Sequence, residues 1–226
     1  MTTPTQPSSA PDNSEQTRPH YHPIGVGFHW SMALLVAFQL WWGWRVAGMP
    51  AGYDKLEAQA IHALIGAILL CLAFLRAGWR LIAPFILPDL EKPEDLPGWQ
   101  RLAAEATHLS LYLLMFALPL SGWLMLALSA ENGTVTLAGG LALPAMPFVA
   151  EMSFVERAQL ERRALNVHLF SIWAIMLLAT LHIGSALKHH FVDRNDVLVR
   201  MIPALSPRPA RSEEKTRRAI ITKAAK

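Results

Sequence analysis

The sequence predicts an all-α, integral-membrane four-helix bundle, and three observations predict it. Hydrophobic residues make up 53% of the 226 and charged residues 16%, where an ordinary soluble domain carries about a quarter charged. Mean hydropathy is +0.28 although both ends are polar, so the apolar residues are concentrated in the middle. That middle divides into four apolar runs, near 28–48, 60–83, 104–129 and 165–189. Each reaches the roughly 20 residues that a helix needs to cross about 30 Å of hydrocarbon. Backbone groups in lipid have no water to pair with, so helices are the element expected.

Residues 1–19 are rich in Pro, Ser, Thr and Gln and hold nothing more apolar than alanine after Met1. Such a stretch buries too little surface to fold and is expected to be a disordered tail. It lacks the basic stretch and short apolar run of a signal peptide. The first span opens at His29-Trp30 and closes in Trp41-Trp42-Gly43-Trp44, aromatics suited to a membrane interface. The second carries His62, Cys71 and Arg76 and ends near Trp79-Arg80; Cys71, in mid-span, reads as an inert buried thiol. The third holds His108 and also Pro119, which is expected to bend it. The fourth, after a loop over 130–165, contains His168 and His182. Three segments result: the 1–19 tail, a four-span domain over 20–203, and a basic tail over 204–226.

A single cysteine excludes a disulfide framework, a Cys-rich zinc or iron–sulfur site, and the C-x-x-C-H signature of covalent haem. The net charge of +3 and pI of 9.2 do not point to nucleic acid. Most of the excess lies beside apolar segments and in the last residues, as a basic rim against lipid. An even number of spans puts both tails and the 84–103 loop on one side. That side carries 15 Lys and Arg, the other 5 (Arg45, Lys55, Arg157, Arg162 and Arg163). Both termini are therefore expected on the cytoplasmic side of the membrane.

Nine histidines are many for so apolar a chain, and an ionisable residue inside a span is a functional hypothesis by default. His168 and His182 are fourteen residues apart, about 21 Å along a helix and only about 40° apart around it. Chain direction puts His29 and His182 at the cytoplasmic depth, and His62 and His168 at the periplasmic depth. Each pair comes from two helices and suits a flat cofactor between them. A metal ion alone takes three or four ligands with carboxylate or thiolate help. Two non-covalent, bis-histidine b-type haems fit better, and with no open position they would carry electrons rather than bind oxygen.

Arg76 lies fourteen residues after His62, on the same face, where it reads as a partner for the cytoplasmic haem propionates; Arg80 reads as snorkelling to the headgroups. His108 is open between a propionate or water contact and a structural role. Lys55, Arg157, Arg162 and Arg163 offer an anionic donor a positive rim, or are ordinary loop charges beside Glu156 and Glu161. His189, His190, Asp193 and Asp196 cluster where a quinone would need protons. His189 reads as functional there, the two aspartates as a solvated helix end.

The run His182-Ile-Gly-Ser-Ala-Leu-Lys-His-His-Phe, followed by Asp196-Val-Leu-Val-Arg-Met, resembles the end of bacterial cytochrome b561 proteins. So do His29-Trp30, the stretch His108-Leu-Ser-Leu-Tyr with Pro119-Leu-Ser-Gly, and His168 fourteen before His182. The resemblance covers about 21–203. It implies two haem b groups ligated by the four matching histidines, paired as above, and for some members transfer of electrons from periplasmic superoxide to ubiquinone. His189 carries over as the quinone contact. Gly25 and Gly27 stand where some relatives have polar residues before the first haem ligand.

The function expected is electron transfer in the membrane, between a periplasmic one-electron donor such as superoxide and the ubiquinone pool. This makes the chain an enzyme of the superoxide:quinone oxidoreductase kind. A cytochrome b subunit relaying electrons for a partner dehydrogenase or hydrogenase is the alternative. A histidine-lined metal transporter ranks third, because the spans lack carboxylates.

Overall fold

The computed structural model describes residues 22–87, 98–130, 134–144 and 146–193, with residues 198, 201 and 202. Both expected tails, Lys92, Arg194 and Asp196 lie outside the described residues. Four long helices, α1 (Pro23–Ala47), α2 (Tyr53–Ile86), α3 (Gly98–Ser129) and α4 (Phe154–Phe191), make up nearly all of it. Each is long and apolar enough to cross a membrane.

The helices outrun the apolar runs because their ends obey polar rules rather than hydropathy. Pro23 starts α1 with its fixed φ, after His22 Nδ1 has accepted the Ile24 N–H at 3.3 Å. The start of α4 lies eleven residues before the apolar run. There the Ser153 hydroxyl accepts from Glu156 N–H at 3.4 Å while the Glu156 carboxylate accepts from Ser153 N–H at 2.8 Å. This reciprocal capping box satisfies orphan donors of the first turn, and the Ser153 bonds hold the Glu156 carboxyl below its usual range. Pro119 lies within an uninterrupted α3.

The loop expected over 130–165 is therefore shorter, and it is structured. Val135–Thr136 and Ala142–Leu143 pair as a short antiparallel hairpin, β1 and β2, the only strands among the described residues. Gly139 and Gly140 turn it at φ of 79° and 78°, which side chains with a Cβ rarely adopt. Val135 and Leu137 are buried with Ala127 against Ala63, Leu64, Ala67 and Trp123. The hairpin thus lies on the α2–α3 groove beside His62.

Successive helices are antiparallel neighbours, and named contacts set their register. Gln39 Nε2 donates to the His62 carbonyl at 2.8 Å, and Trp42 Nε1 to the Ala58 carbonyl at 3.1 Å, pinning α1 to α2. Phe74 meets Phe116 edge to face at 4.9 Å between α2 and α3. Ser129 Oγ donates to Glu161 at 2.9 Å between α3 and α4. Close packing runs α1–α2, α2–α3 and α3–α4, whereas α4 approaches α1 and α2 only sparsely. The bundle is left open along the inner face of α4. The end where α1 begins is here the near end, the opposite one the far end.

Most large apolar side chains point outward, Leu34, Trp44, Phe74 and Trp173 among them, as suits a bundle whose solvent is lipid. Cys71 is exposed on the outer face of α2, which corrects its reading as buried. In a span apolar all round, hydropathy does not tell the lipid face from the inner one.

Candidate haem sites

The inner stripe of α4 follows a 3-4 spacing through Ala164, His168, Ser171 and Ile175, and on to His182 and His189. Ala164, Ser171 and Ile175 are buried against α3. His168 and His182 instead each lie toward a ring from another helix. At the near end the centroids of His29 and His182 are 6.2 Å apart with planes at 61°. At the far end those of His62 and His168 are 6.4 Å apart with planes at 69°.

These spacings bear on what the rings can hold. A metal–imidazole bond is about 2.0 Å, and ring atoms lie about 1.1 Å from the centroid. One metal bound between two opposed imidazoles therefore sets the centroids roughly 6.2 Å apart. Both pairs fit a six-coordinate haem iron, and the sparse α4–α1 and α4–α2 approach leaves its plane room between the helices. Among the described residues no group of three or more His, Cys, Asp or Glu is arranged to hold a metal ion.

The far pair is seated by small residues. A Cβ at Gly43 would lie 3.0 Å from His62 Cε1, and one at Gly122 would lie 3.4 Å from His168 Cε1. A Cβ at Gly43 would crowd His62, whereas one at Gly122 would just touch His168. His168 Nδ1 lies 3.1 Å from the Leu118 carbonyl and 3.0 Å from Ser121 Oγ, whose hydroxyl donates to the same carbonyl at 2.9 Å. A carbonyl only accepts, so Nδ1 carries the proton and Nε2 keeps the lone pair a metal needs. His62 Nδ1 is buried with no hydrogen-bond partner among the described residues. Ser121, Gly122 and Gly43 were not singled out in the sequence as parts of the site. Glycine and serine standing inside apolar, aromatic-rich runs were the available signal.

The near pair is polar. His108 approaches His182 at 5.2 Å between centroids. Arg76 Nε donates to the Tyr112 hydroxyl at 3.0 Å, with its guanidinium over that ring. Arg80 is exposed. Trp30, in edge contact with His29, donates from Nε1 to the Met201 carbonyl at 2.8 Å, so the chain beyond α4 comes back to the start of α1.

His189 ends the α4 stripe, its Nδ1 2.7 Å from Asp193 Oδ2. Asp193 is exposed just past the end of α4. Lys188 Nζ donates to it at 2.8 Å, and that bond, followed by the one from His189, holds its carboxyl below the usual range. At the far end Lys55 caps α1 by donating to the Met49 carbonyl at 3.0 Å. Arg162 and Arg163 are exposed, while Arg157 is half-buried with its Nε unpartnered among the described residues.

The comparisons with known proteins agree with this architecture. The profile described as prokaryotic cytochrome b561 matches residues 20–204. The chain is 32% identical over 193 residues to cytochrome b561 homolog 2 of Escherichia coli K12, covering 82% of this chain and 93% of that protein. It is 29% identical over 183 residues to a probable superoxide oxidase, CybB, of Yersinia pestis, covering 81% and 96%. A cytochrome b562 of Cereibacter sphaeroides is also 29% identical, over 192 residues, with 81% and 96% covered. With four membrane-crossing helices and a profile spanning nearly all of them, the chain belongs to the prokaryotic cytochrome b561 family, bacterial inner-membrane electron-transfer proteins that bind b-type haem.

Proposed function

We propose that the chain holds two b-type haems, one between His29 and His182 and one between His62 and His168, and passes electrons from a periplasmic one-electron donor to ubiquinone. The two facing pairs, at 6.2 and 6.4 Å along one open side of the bundle, carry this reading. Held by two histidines, each haem would carry single electrons and would leave no position open for oxygen.

The chain supplies binding, orientation and protons. The Leu118 carbonyl and Ser121 hold His168 in the tautomer that presents Nε2, and such outer contacts make a ligating imidazole more basic. Arg76, fixed by Tyr112, is aimed to pair with the near haem's propionates. Both termini lie in the cytoplasm by the basic-residue count, which puts the near pair on the cytoplasmic side and the far pair on the periplasmic side. The domain over 20–203 carries the function, between the two tails.

Superoxide is the donor favoured, on the likeness to the probable superoxide oxidase and the exposed cations Arg162 and Arg163 at the far end. Two superoxide anions give up one electron each and become dioxygen. One ubiquinone takes both electrons and two protons. His189 would hydrogen-bond the quinone oxygen and pass on a proton, with Asp193 2.7 Å from its Nδ1.

The test uses the isolated, full-length protein. Superoxide should reduce its haems rapidly, and added ubiquinone should reoxidise them. His189→Ala should keep both haems and slow reoxidation severalfold, with a smaller effect from His190→Ala. Haems that stay oxidised until a partner dehydrogenase is added would instead make the chain a relay subunit.

A further inference from the structure

Helix α4 gives one histidine to each pair, and α3 treats the two differently. His168 hands its Nδ1 proton to the Leu118 carbonyl at 3.1 Å. For His182 the nearest histidine on the α3 side is His108, at 5.2 Å between centroids with planes at 75°. We propose that His108 is a positioning residue for His182, accepting the N–H of the ring nitrogen turned away from His29. The proposal rests on the reading of His182 as a haem ligand.

The geometry supports it in three ways. His182 has a histidine ring from α1 at 6.2 Å and one from α3 at 5.2 Å between centroids. At 5.2 Å between centroids the two rings are in contact, with planes at 75°. A neutral imidazole at 108 keeps one ring nitrogen with a lone pair that can only accept. Finally, 108 faces 182 in the same α3–α4 register in which Leu118 and Ser121 face His168. One wall of the bundle would thus supply the outer contact to both α4 ligands, a backbone carbonyl at the far level and an imidazole at the near level.

The consequence is electronic. A ligating histidine that donates its other N–H binds the metal as a stronger base, and hydrogen bonding around a ligand is one lever on the reduction potential. Losing the acceptor should raise the near haem's potential and leave the far one unchanged.

The experiment is a potentiometric titration, with low-temperature EPR, of the full chain carrying its haems. His108→Leu should keep the wild-type haem content, shift one of two low-spin signals, and raise one midpoint by about tenfold in the reduction equilibrium, about 59 mV for one electron. His108→Gln, which still offers an accepting oxygen, should return most of that shift. Ser121→Ala should leave the near signal alone. Unchanged potentials and signals in His108→Leu overturn the proposal. So does loss of a haem in both variants, which would make His108 a ligand. Should His108→Leu not fold, a His108→Gln midpoint like wild type supports the proposal and one raised tenfold overturns it. Failure of the underlying reading looks different: wild-type protein would then lack two bis-histidine signals at the outset.

Discussion

The far and near histidine pairs share helix α4 and almost the same ring spacing, yet they are walled by different chemistry. Around His62 and His168 stand Gly43, Gly122, the Leu118 carbonyl, Ser121 and the apolar underside of the 135–143 hairpin. Around His29 and His182 stand His108, Arg76 and Tyr112, with His189 and Asp193 a few turns beyond. One site is held by a backbone carbonyl, a hydroxyl and close packing at Gly43. The other is held by side chains that carry or exchange charge. The difference suits a path on which one end only takes electrons and the other must also manage protons.

The largest effect should come from removing a ring. His62→Ala or His168→Ala should lower haem content from two per chain to one, and so should His29→Ala or His182→Ala, with a different spectral component lost in each set. Pyridine haemochromogen assay and EPR would show it. The same component vanishing from all four variants would break the comparison, because the pairs would then not be separate sites.

Next is the packing at the far pair. Gly43→Val puts a branched side chain where a Cβ alone would already sit 3.0 Å from His62 Cε1. The backbone of α1 cannot yield by much, since Gln39 and Trp42 tie it to α2. Far-haem occupancy should drop by half or more, with near-haem spectra kept. Gly27→Val has nothing within 4 Å and should leave haem content unchanged, so a like loss there would make packing everywhere, not at the pair, the cause.

Charge at the far rim should matter less. Neutralising Arg157, Arg162 and Arg163 together should slow haem reduction by superoxide severalfold at low salt and flatten its ionic-strength dependence, because the Debye length is only about 8 Å at 0.15 M. Stopped-flow rates that do not change at low salt would return these residues to ordinary loop charges.

The smallest effect should be Ser121→Ala. It removes one of the two groups on His168 Nδ1 and leaves the Leu118 carbonyl as acceptor. The far midpoint should move by less than about threefold in the reduction equilibrium, some 28 mV for one electron. A shift as large as that expected for His108→Leu would erase the contrast between a backbone-held and a side-chain-held ligand.

Much was legible before any coordinates because lipid imposes simple rules on a sequence. Length and hydropathy determined four spans, since an uninterrupted helix of about 20 apolar residues is what crosses hydrocarbon. The fourteen-residue step from His168 to His182, with chain direction, determined which histidines share a depth, since helical rise and twist are constants. What polar ends add was not visible in hydropathy: the Ser153 capping box starts α4 well before its apolar run. Nor was the face of an all-apolar helix, which is why Cys71 was read inward and lies outward. Only the tertiary structure decided that His108 borders His182, that two glycines seat the far rings, and that the hairpin covers the α2–α3 groove. The physical reason is that depth along a membrane follows from local helix geometry, whereas contact across a bundle depends on the rotation and separation of helices, which packing between distant segments sets.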